Sequence, residues 1–182
     1  LQQFLERASA DVRRRAMGFV GRDIAGPTAD IPAEVRARGM AYFESRLAAA
    51  ANSADVSRFR EELSAIGLWL YHAAVDELWL CEQVLAMTSL GLVPATEYTT
   101  INWLEKVATR HPDRAIKVLL GLIRIVGTKL SAFTGQESTL KAILTAGVAT
   151  GKVETLQRVR EIKGTLDSIG VWLELDLDPP KT

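Results

Sequence analysis

Apolar residues recur at intervals of three and four along nearly the whole chain, and prolines and glycines interrupt them at the segment ends. A period of that length lays one apolar stripe along a helix, whereas a half-buried strand needs strict alternation. Only residues 171–178 alternate apolar and polar side chains over a convincing length. The sequence therefore predicts an all-α protein of about eight helices.

The boundaries of these helices follow from capping residues and from proline and glycine. Eight segments are predicted, over about residues 2–20, 32–51, 53–71, 76–92, 99–110, 113–126, 136–150 and 153–169. The predicted core positions of the first segment are Leu5, Ala8, Val12, Ala16 and Phe19, and those of later segments include Val35 and Val153. The sixth segment is expected to be the most buried helix. The connections at 111–113 and 151–152 are so short that they make neighbouring helices antiparallel.

The spacing of the helix pairs favours an open stack of hairpins over a closed bundle. The first, third, fifth and seventh segments start near residues 2, 54, 99 and 136. These intervals lie close to the ~40–47 residues of HEAT and armadillo repeats. We therefore predict a single domain over residues 1–182, built as a short α-solenoid of stacked antiparallel hairpins.

The composition is that of an ordinary globular protein. Of 182 residues, 48% are hydrophobic, and 22 Lys and Arg balance 22 Asp and Glu. This excludes a disordered chain and a protein that is basic throughout. A single cysteine, Cys81, excludes an intramolecular disulfide. Because neither a secretory signal nor a transmembrane span is recognisable, we expect a cytoplasmic protein, and the start at Leu1 suggests a fragment of a longer one.

The balanced net charge conceals sections of opposite sign. Residues 52–100 carry seven acidic and two basic groups, whereas residues 101–163 carry five acidic and eleven basic groups, a net charge of +6. The basic side chains of that second section are Lys106, Arg110, Arg114, Lys117, Arg124, Lys129, Lys141, Lys152, Arg158, Arg160 and Lys163. They form either solvated helix faces paired with neighbouring acids or a basic stripe for an acidic partner or a phosphate backbone.

Motifs for catalysis or for cofactor and metal binding are missing. Residues 147–152, Gly-Val-Ala-Thr-Gly-Lys, are one residue shorter than a phosphate-binding loop and follow a helix, so they predict a helix end. The two histidines stand 39 residues apart, which disfavours a histidine metal site. Cys81 lies among apolar residues and is expected to act as a small hydrophobe. We predict a protein that is not an enzyme and holds no cofactor or metal.

Residues 63–175 contain a series of packing motifs, at 67–70, 79–85, 103–108, 111–119, 143–151 and 166–170. It resembles the degenerate HEAT-like helical region near the C-terminus of large bacterial proteins with NTPase or signalling modules, some of the STAND type. Where that family usually has a Gly-Trp-Trp-like pair, this chain has Gly67-Leu68-Trp69, and it carries none of the NTPase motifs. The resemblance implies an accessory repeat domain, with any chemistry elsewhere in the parent chain.

The predicted function is a non-catalytic interaction module that binds a protein partner or other domains of its parent chain. Its candidate surface comprises Trp69, Tyr71, Trp79, Arg110, Arg114, Lys117, Arg158 and Lys163. The aromatic members either pack between repeats or form an interface hot spot. Two alternatives stay open: nucleic-acid binding through residues 101–163, and a small helical enzyme with a site around Tyr71, His72, Asp76 and Glu77.

Overall fold

The computed structural model describes residues 7–25, 32–70, 75–95, 97–127 and 133–177. Within these ranges the regular structure is all helical, as predicted, and no strand is present. The chain divides into two units, residues 1–96 and residues 97–182, and each is described by itself. The proposal of a single domain over 1–182 stays a prediction.

The first unit contains five α-helices and one 3₁₀ turn among its described residues. They are α1 (Ala10–Ala25), α2 (Ala33–Ala51), the 3₁₀ turn (Val56–Phe59), α3 (Arg60–Ser64), α4 (Ile66–Trp69) and α5 (Glu77–Ser89). The predicted third helix is therefore split into three short pieces. Two aspartates begin elements as caps: Asp55 accepts the N–H of Ser57, and Asp76 accepts the N–H of Trp79.

The predicted core stripe of the first helix is wrong at two positions, Val12 and Phe19. Val12 and Phe19 are 40% and 54% exposed, whereas Met17 is fully buried and is followed by the buried Gly18. With Gly21, these residues form the face that packs against α3 and α4. The helix approaches its neighbours through glycines, which a count of apolar side chains does not detect. Leu5, the first predicted member of the stripe, lies outside the described residues.

Two further predicted core positions are also wrong. Val35 lies in the first turn of α2 and is exposed, because the buried face of that helix begins at Gly39 and continues through Phe43 and Leu47. Val153 is the first residue of the last helix and is 69% exposed. Both valines stand at helix starts, one turn before the helix meets the core.

The second unit contains α6 (Glu97–Arg110), α7 (Pro112–Val126), α8 (Glu137–Ala149) and α9 (Val153–Ser168), close to the predicted boundaries. Pro112 opens α7, where its missing N–H costs nothing. Gly151 and Gly170 follow α8 and α9 with φ of 65° and 85°, the left-handed conformation that ends helices. Eight of the fifteen residues of α7 are buried, which confirms the prediction for that helix.

The four helices of the second unit pack as two hairpins with a close contact between their second members. Helix α6 packs against α7 and α8, and α9 packs against the same two helices. Helices α7 and α9 run parallel, because Asp113 meets Thr155 near their N-terminal ends and Arg124 meets Glu161 further along. Near the C-terminal end of α7, Gly127 lies beside Thr165. These two helices are thus direct neighbours that point the same way.

Residues 171–177 follow α9 without regular secondary structure. Val171 and Leu173 are buried and Trp172 between them is exposed, in keeping with the alternation of the sequence. None of the described helices combines the length and the hydropathy needed to cross a lipid bilayer.

Candidate functional site

A buried carboxylate network joins three helices of the first unit. Glu62 of α3 is fully buried. Its Oε2 accepts Arg13 Nε at 2.9 Å and Arg46 Nη2 at 3.1 Å, and its Oε1 accepts Arg46 Nε at 2.9 Å and Tyr42 Oη at 3.2 Å. One carboxylate therefore receives four hydrogen bonds from α1 and α2.

The electrostatics of this network favour a structural role. The guanidinium groups of Arg13 and Arg46, whose side chains are only 15% and 16% exposed, compensate the buried charge of Glu62. Burial of the phenol, followed by the negative charge of Glu62, raises the pKa of Tyr42 to about 12. Because the carboxylate oxygens are already occupied, the network fastens helices together and leaves no acceptor for a ligand. Sequence reasoning missed it, since Glu61-Glu62 resembles an ordinary acidic first turn.

The aromatic members of the predicted surface pack within the first unit. Trp69 is fully buried, and its ring centroid lies 5.8 Å from that of Trp79 and 5.7 Å from that of Phe43. Trp79 is half-buried, and its Nε1 donates to Glu44 at 2.6 Å. Tyr71 lies outside the described residues. The rings of Trp69 and Trp79 therefore form an internal cluster with Phe43.

Several basic side chains of the second unit form ion pairs with acids of the same unit. Arg124 pairs with Glu161 at 2.8 Å, Lys163 with Asp167 at 2.7 Å and Arg158 with Glu154 at 3.3 Å, while Lys152 pairs with Asp113. Arg110 is exposed at the end of α6, and Arg114 is half-buried in α7. Lys129 lies outside the described residues. Four cations of the predicted basic section are therefore matched by acids of the same unit.

An open cleft of about 610 Å³ lies where α7 and α9 begin. Its lining comprises Asp113, Lys117, Gly151, Lys152, Val153, Glu154, Thr155 and Arg158. The fold thus brings two members of the predicted surface, Lys117 and Arg158, to one opening, because α7 and α9 are parallel neighbours. Lys163, a third member, is further along α9 in its pair with Asp167.

Asp113 accepts hydrogen bonds from two other residues that line this cleft. Its Oδ2 accepts Lys152 Nζ, and its Oδ1 accepts Thr155 Oγ1 at 2.7 Å. The hydrogen bond from Lys152 outweighs the opposing effect of burial and holds the pKa of Asp113 below its usual range. Lys117 has no ion-pair partner within 4 Å in the part of the chain that the structure describes. The positive charge of Lys117 also contributes to lowering the pKa of Asp113, so its ammonium group acts on that carboxylate without forming an ion pair with it.

The residues proposed for the enzyme alternative form no described site. Tyr71 and His72 lie outside the described residues, and Asp76 caps α5. Cys81 is buried, as expected. Across the described ranges, no three metal-ligating side chains are grouped closely enough to hold a metal ion.

Comparison of the chain with family models, with curated proteins and with solved structures finds no match. The likeness to HEAT-like regions of NTPase and STAND-type proteins therefore stays a prediction. A function has to be inferred from the geometry of the described residues, above all from the packing of the second unit.

Proposed function

We propose that the chain is a non-catalytic helical-repeat module that binds a protein partner, either a separate protein or another domain of its parent chain. The observation that carries this proposal is the parallel contact of α7 with α9. In an up-and-down four-helix bundle the second and fourth helices are diagonal, whereas stacked hairpins make corresponding helices neighbours. The second arrangement is the one expected of an α-solenoid.

The sequence separation of the contacts supports the same repeat. Contacts between α7 and α9 join Arg124 to Glu161, Asp113 to Lys152 and Asp113 to Thr155, at separations of 37, 39 and 42 residues. These separations lie at the lower edge of the ~40–47 residues of HEAT and armadillo repeats or just below it. Helices α6 and α8, the first members of the two hairpins, also pack on each other. We infer a HEAT-like stack of two layers, which suits an extended protein-binding surface.

The distribution of charge favours a protein partner over nucleic acid. A nucleic-acid interface draws its affinity from unpaired cations that replace the counterions of the phosphates. Here Arg124, Lys152 and Lys163 already pair with carboxylates of their own unit. A surface of mixed sign matches a protein surface better than a uniform polyanion. In this proposal the chain serves a larger bacterial protein as an accessory scaffold or sensor, with any catalysis elsewhere.

A photocrosslinking experiment on the full chain tests this proposal. A photoreactive residue replaces the exposed Val153 beside the cleft, and in a matched control it replaces the exposed Ser138 of α8. The captured protein is then purified, and its binding to the unmodified chain is measured by calorimetry. We expect capture from position 153 and one-to-one binding with a Kd of about 10 μM or tighter.

Nucleic-acid binding is measured in parallel by fluorescence polarisation with duplex DNA and with single-stranded RNA. We expect no binding to either. The proposal is wrong if no purified protein binds while a nucleic acid binds with an affinity that falls steeply between 50 and 200 mM salt, on the order of 10³-fold. Equal capture from positions 153 and 138 would likewise contradict a defined binding surface.

A further inference from the structure

Three cations from two helices surround the cleft in the second unit. Lys117 comes from α7, Lys152 directly precedes α9, and Arg158 lies in the second turn of α9. The cleft holds two carboxylates, Asp113 and Glu154, so it carries one positive charge in excess. Because the helices are parallel neighbours, this charge is concentrated at one opening instead of along a face.

The internal bonds of the cleft leave specific donors available. Both oxygens of Asp113 are occupied, one by Lys152 and the other by Thr155. Arg158 uses one terminal nitrogen on Glu154 and has further N–H groups on the same guanidinium. Lys117 has no ion-pair partner among the described residues. An entering carboxylate can therefore bind Lys117 and Arg158 without breaking the pair on Asp113.

The surroundings of the cleft select the kind of anion. Glu154, an exposed carboxylate, lies in the lining, and Arg124 further along α7 is neutralised by Glu161. A nucleic-acid backbone at this cleft would meet the carboxylates of Glu154 and Glu161. A protein segment with a single acidic side chain avoids them, and an apolar residue next to that acid could contact the exposed Val153. Charge complementarity therefore favours an acidic, partly apolar peptide segment.

We propose that the cleft between α7 and α9 binds an acidic side chain of an extended segment of the partner, with Lys117 and Arg158 as its ligands. This inference rests on the proposed function and specifies where and how the partner is recognised. A cleft of about 610 Å³ is large enough for a few side chains of such a segment.

The test is a titration of the ¹⁵N-labelled full chain, followed by NMR, with the peptide acetyl-Leu-Glu-Leu-Asn-amide. Its neutral counterpart acetyl-Leu-Gln-Leu-Asn-amide serves as the ligand control. We expect saturable shifts of the amides of Asp113, Lys117 and residues 151–158 with the acidic peptide. The neutral peptide should bind at least about tenfold more weakly, because an amide accepts weaker hydrogen bonds from Lys117 and Arg158 than a carboxylate does.

Two matched lysine variants locate the effect. Lys117→Gln removes one charge from the cleft without breaking an internal ion pair and should weaken peptide binding about tenfold. Lys106→Gln removes an exposed lysine of α6 outside the cleft lining and should leave the affinity unchanged. Equal weakening in both variants would contradict the inference, because it would indicate a general effect of net charge.

Two further ligands decide the chemistry of the anion. If inorganic phosphate shifts the same amides and binds as tightly as the peptide, the cleft is a general anion site. If a single-stranded oligonucleotide binds there more tightly than the peptide, the cleft is a nucleic-acid site. Either result overturns the inference. If the purified partner binds the Lys117→Gln variant as tightly as the original chain, the cleft inference fails while the proposed function stands.

Discussion

The indole Nε1 of Trp69 donates a hydrogen bond to the main-chain carbonyl of Met17 at 3.1 Å, between residues 52 positions apart. The carbonyl belongs to α1, and the indole enters a notch that Gly21 leaves on that helix. A Cβ atom on Gly21 would overlap the five-membered ring of Trp69. The absence of a side chain at this position is therefore a requirement of the packing.

Gly21→Ala should lower the free energy of unfolding, because the added methyl group displaces the buried indole. Overpacking of this kind costs about 1–3 kcal/mol, which exceeds the helix propensity that alanine adds. Urea titration monitored by tryptophan fluorescence and circular dichroism measures the change.

Gly18→Ala is the matched control for this prediction. Its Cβ atom would lie 3.0 Å from Cδ1 of Leu68, a partly exposed side chain that can rotate away. We expect a neutral effect or a gain of up to about 1 kcal/mol from helix propensity. Equal destabilisation by both variants would show that α1 does not dock through the notch at Gly21.

Glu62→Gln should be strongly destabilising. The substitution removes the charge that compensates Arg13 and Arg46, and breaking a buried pair from one side costs about 3–5 kcal/mol. Glu61→Gln, at the exposed neighbouring position, should change the free energy of unfolding by less than about 0.5 kcal/mol. A small loss with Glu62→Gln in urea titration would mean that the carboxylate is not buried between the two guanidinium groups.

Ionisation of Tyr42 should weaken the first unit at high pH. The folded state raises the pKa of Tyr42 from its ordinary value of 10.0 to about 12, so the phenol stabilises the fold fully below pH 10. That contribution is lost as the pH rises from 10 through 12. The absorbance of tyrosinate near 295 nm gives the titration of the residue, and urea titration at each pH gives the stability.

Tyr42→Phe isolates this effect from the titration of lysines over the same pH range. The difference in stability between the original chain and this variant should shrink between pH 10 and pH 12. A constant difference would contradict the raised pKa of Tyr42 and therefore the burial of its phenol beside Glu62.

Local signals in the sequence are sufficient to predict the helix ends of the second unit. Pro112 at the start of α7, together with Gly151 and Gly170 after α8 and α9, fixes helix ends through backbone geometry, which depends little on distant residues. The apolar stripe of α7 is long and regular, so the prediction of the most buried helix is also correct.

The core positions and the buried ion pairs of the first unit depend on contacts between distant residues, which the sequence does not reveal. From the sequence alone, the glycines of α1 suggest only a weak helix. In the structure a glycine face receives Trp69, so the buried face of α1 is not the one predicted at Val12 and Phe19. Glu62 resembles a solvated acid until Arg13 and Arg46 are found beside it. In the second unit, the sequence predicts Lys117 and Arg158 as surface residues, but their common cleft depends on the packing of α7 on α9.

The parallel packing of α7 on α9 is the relation on which the repeat proposal depends, and nuclear Overhauser measurements on the full chain test it directly. A Cβ atom on Gly127 would lie 3.6 Å from the methyl carbon of Thr165, and Asp113 is bonded to Thr155. We predict cross-peaks between the α-protons of Gly127 and the methyl of Thr165, and between Asp113 and the methyl of Thr155. Cross-peaks that join Asp113 to Thr165 instead would place the helices antiparallel and contradict the stacked-hairpin arrangement.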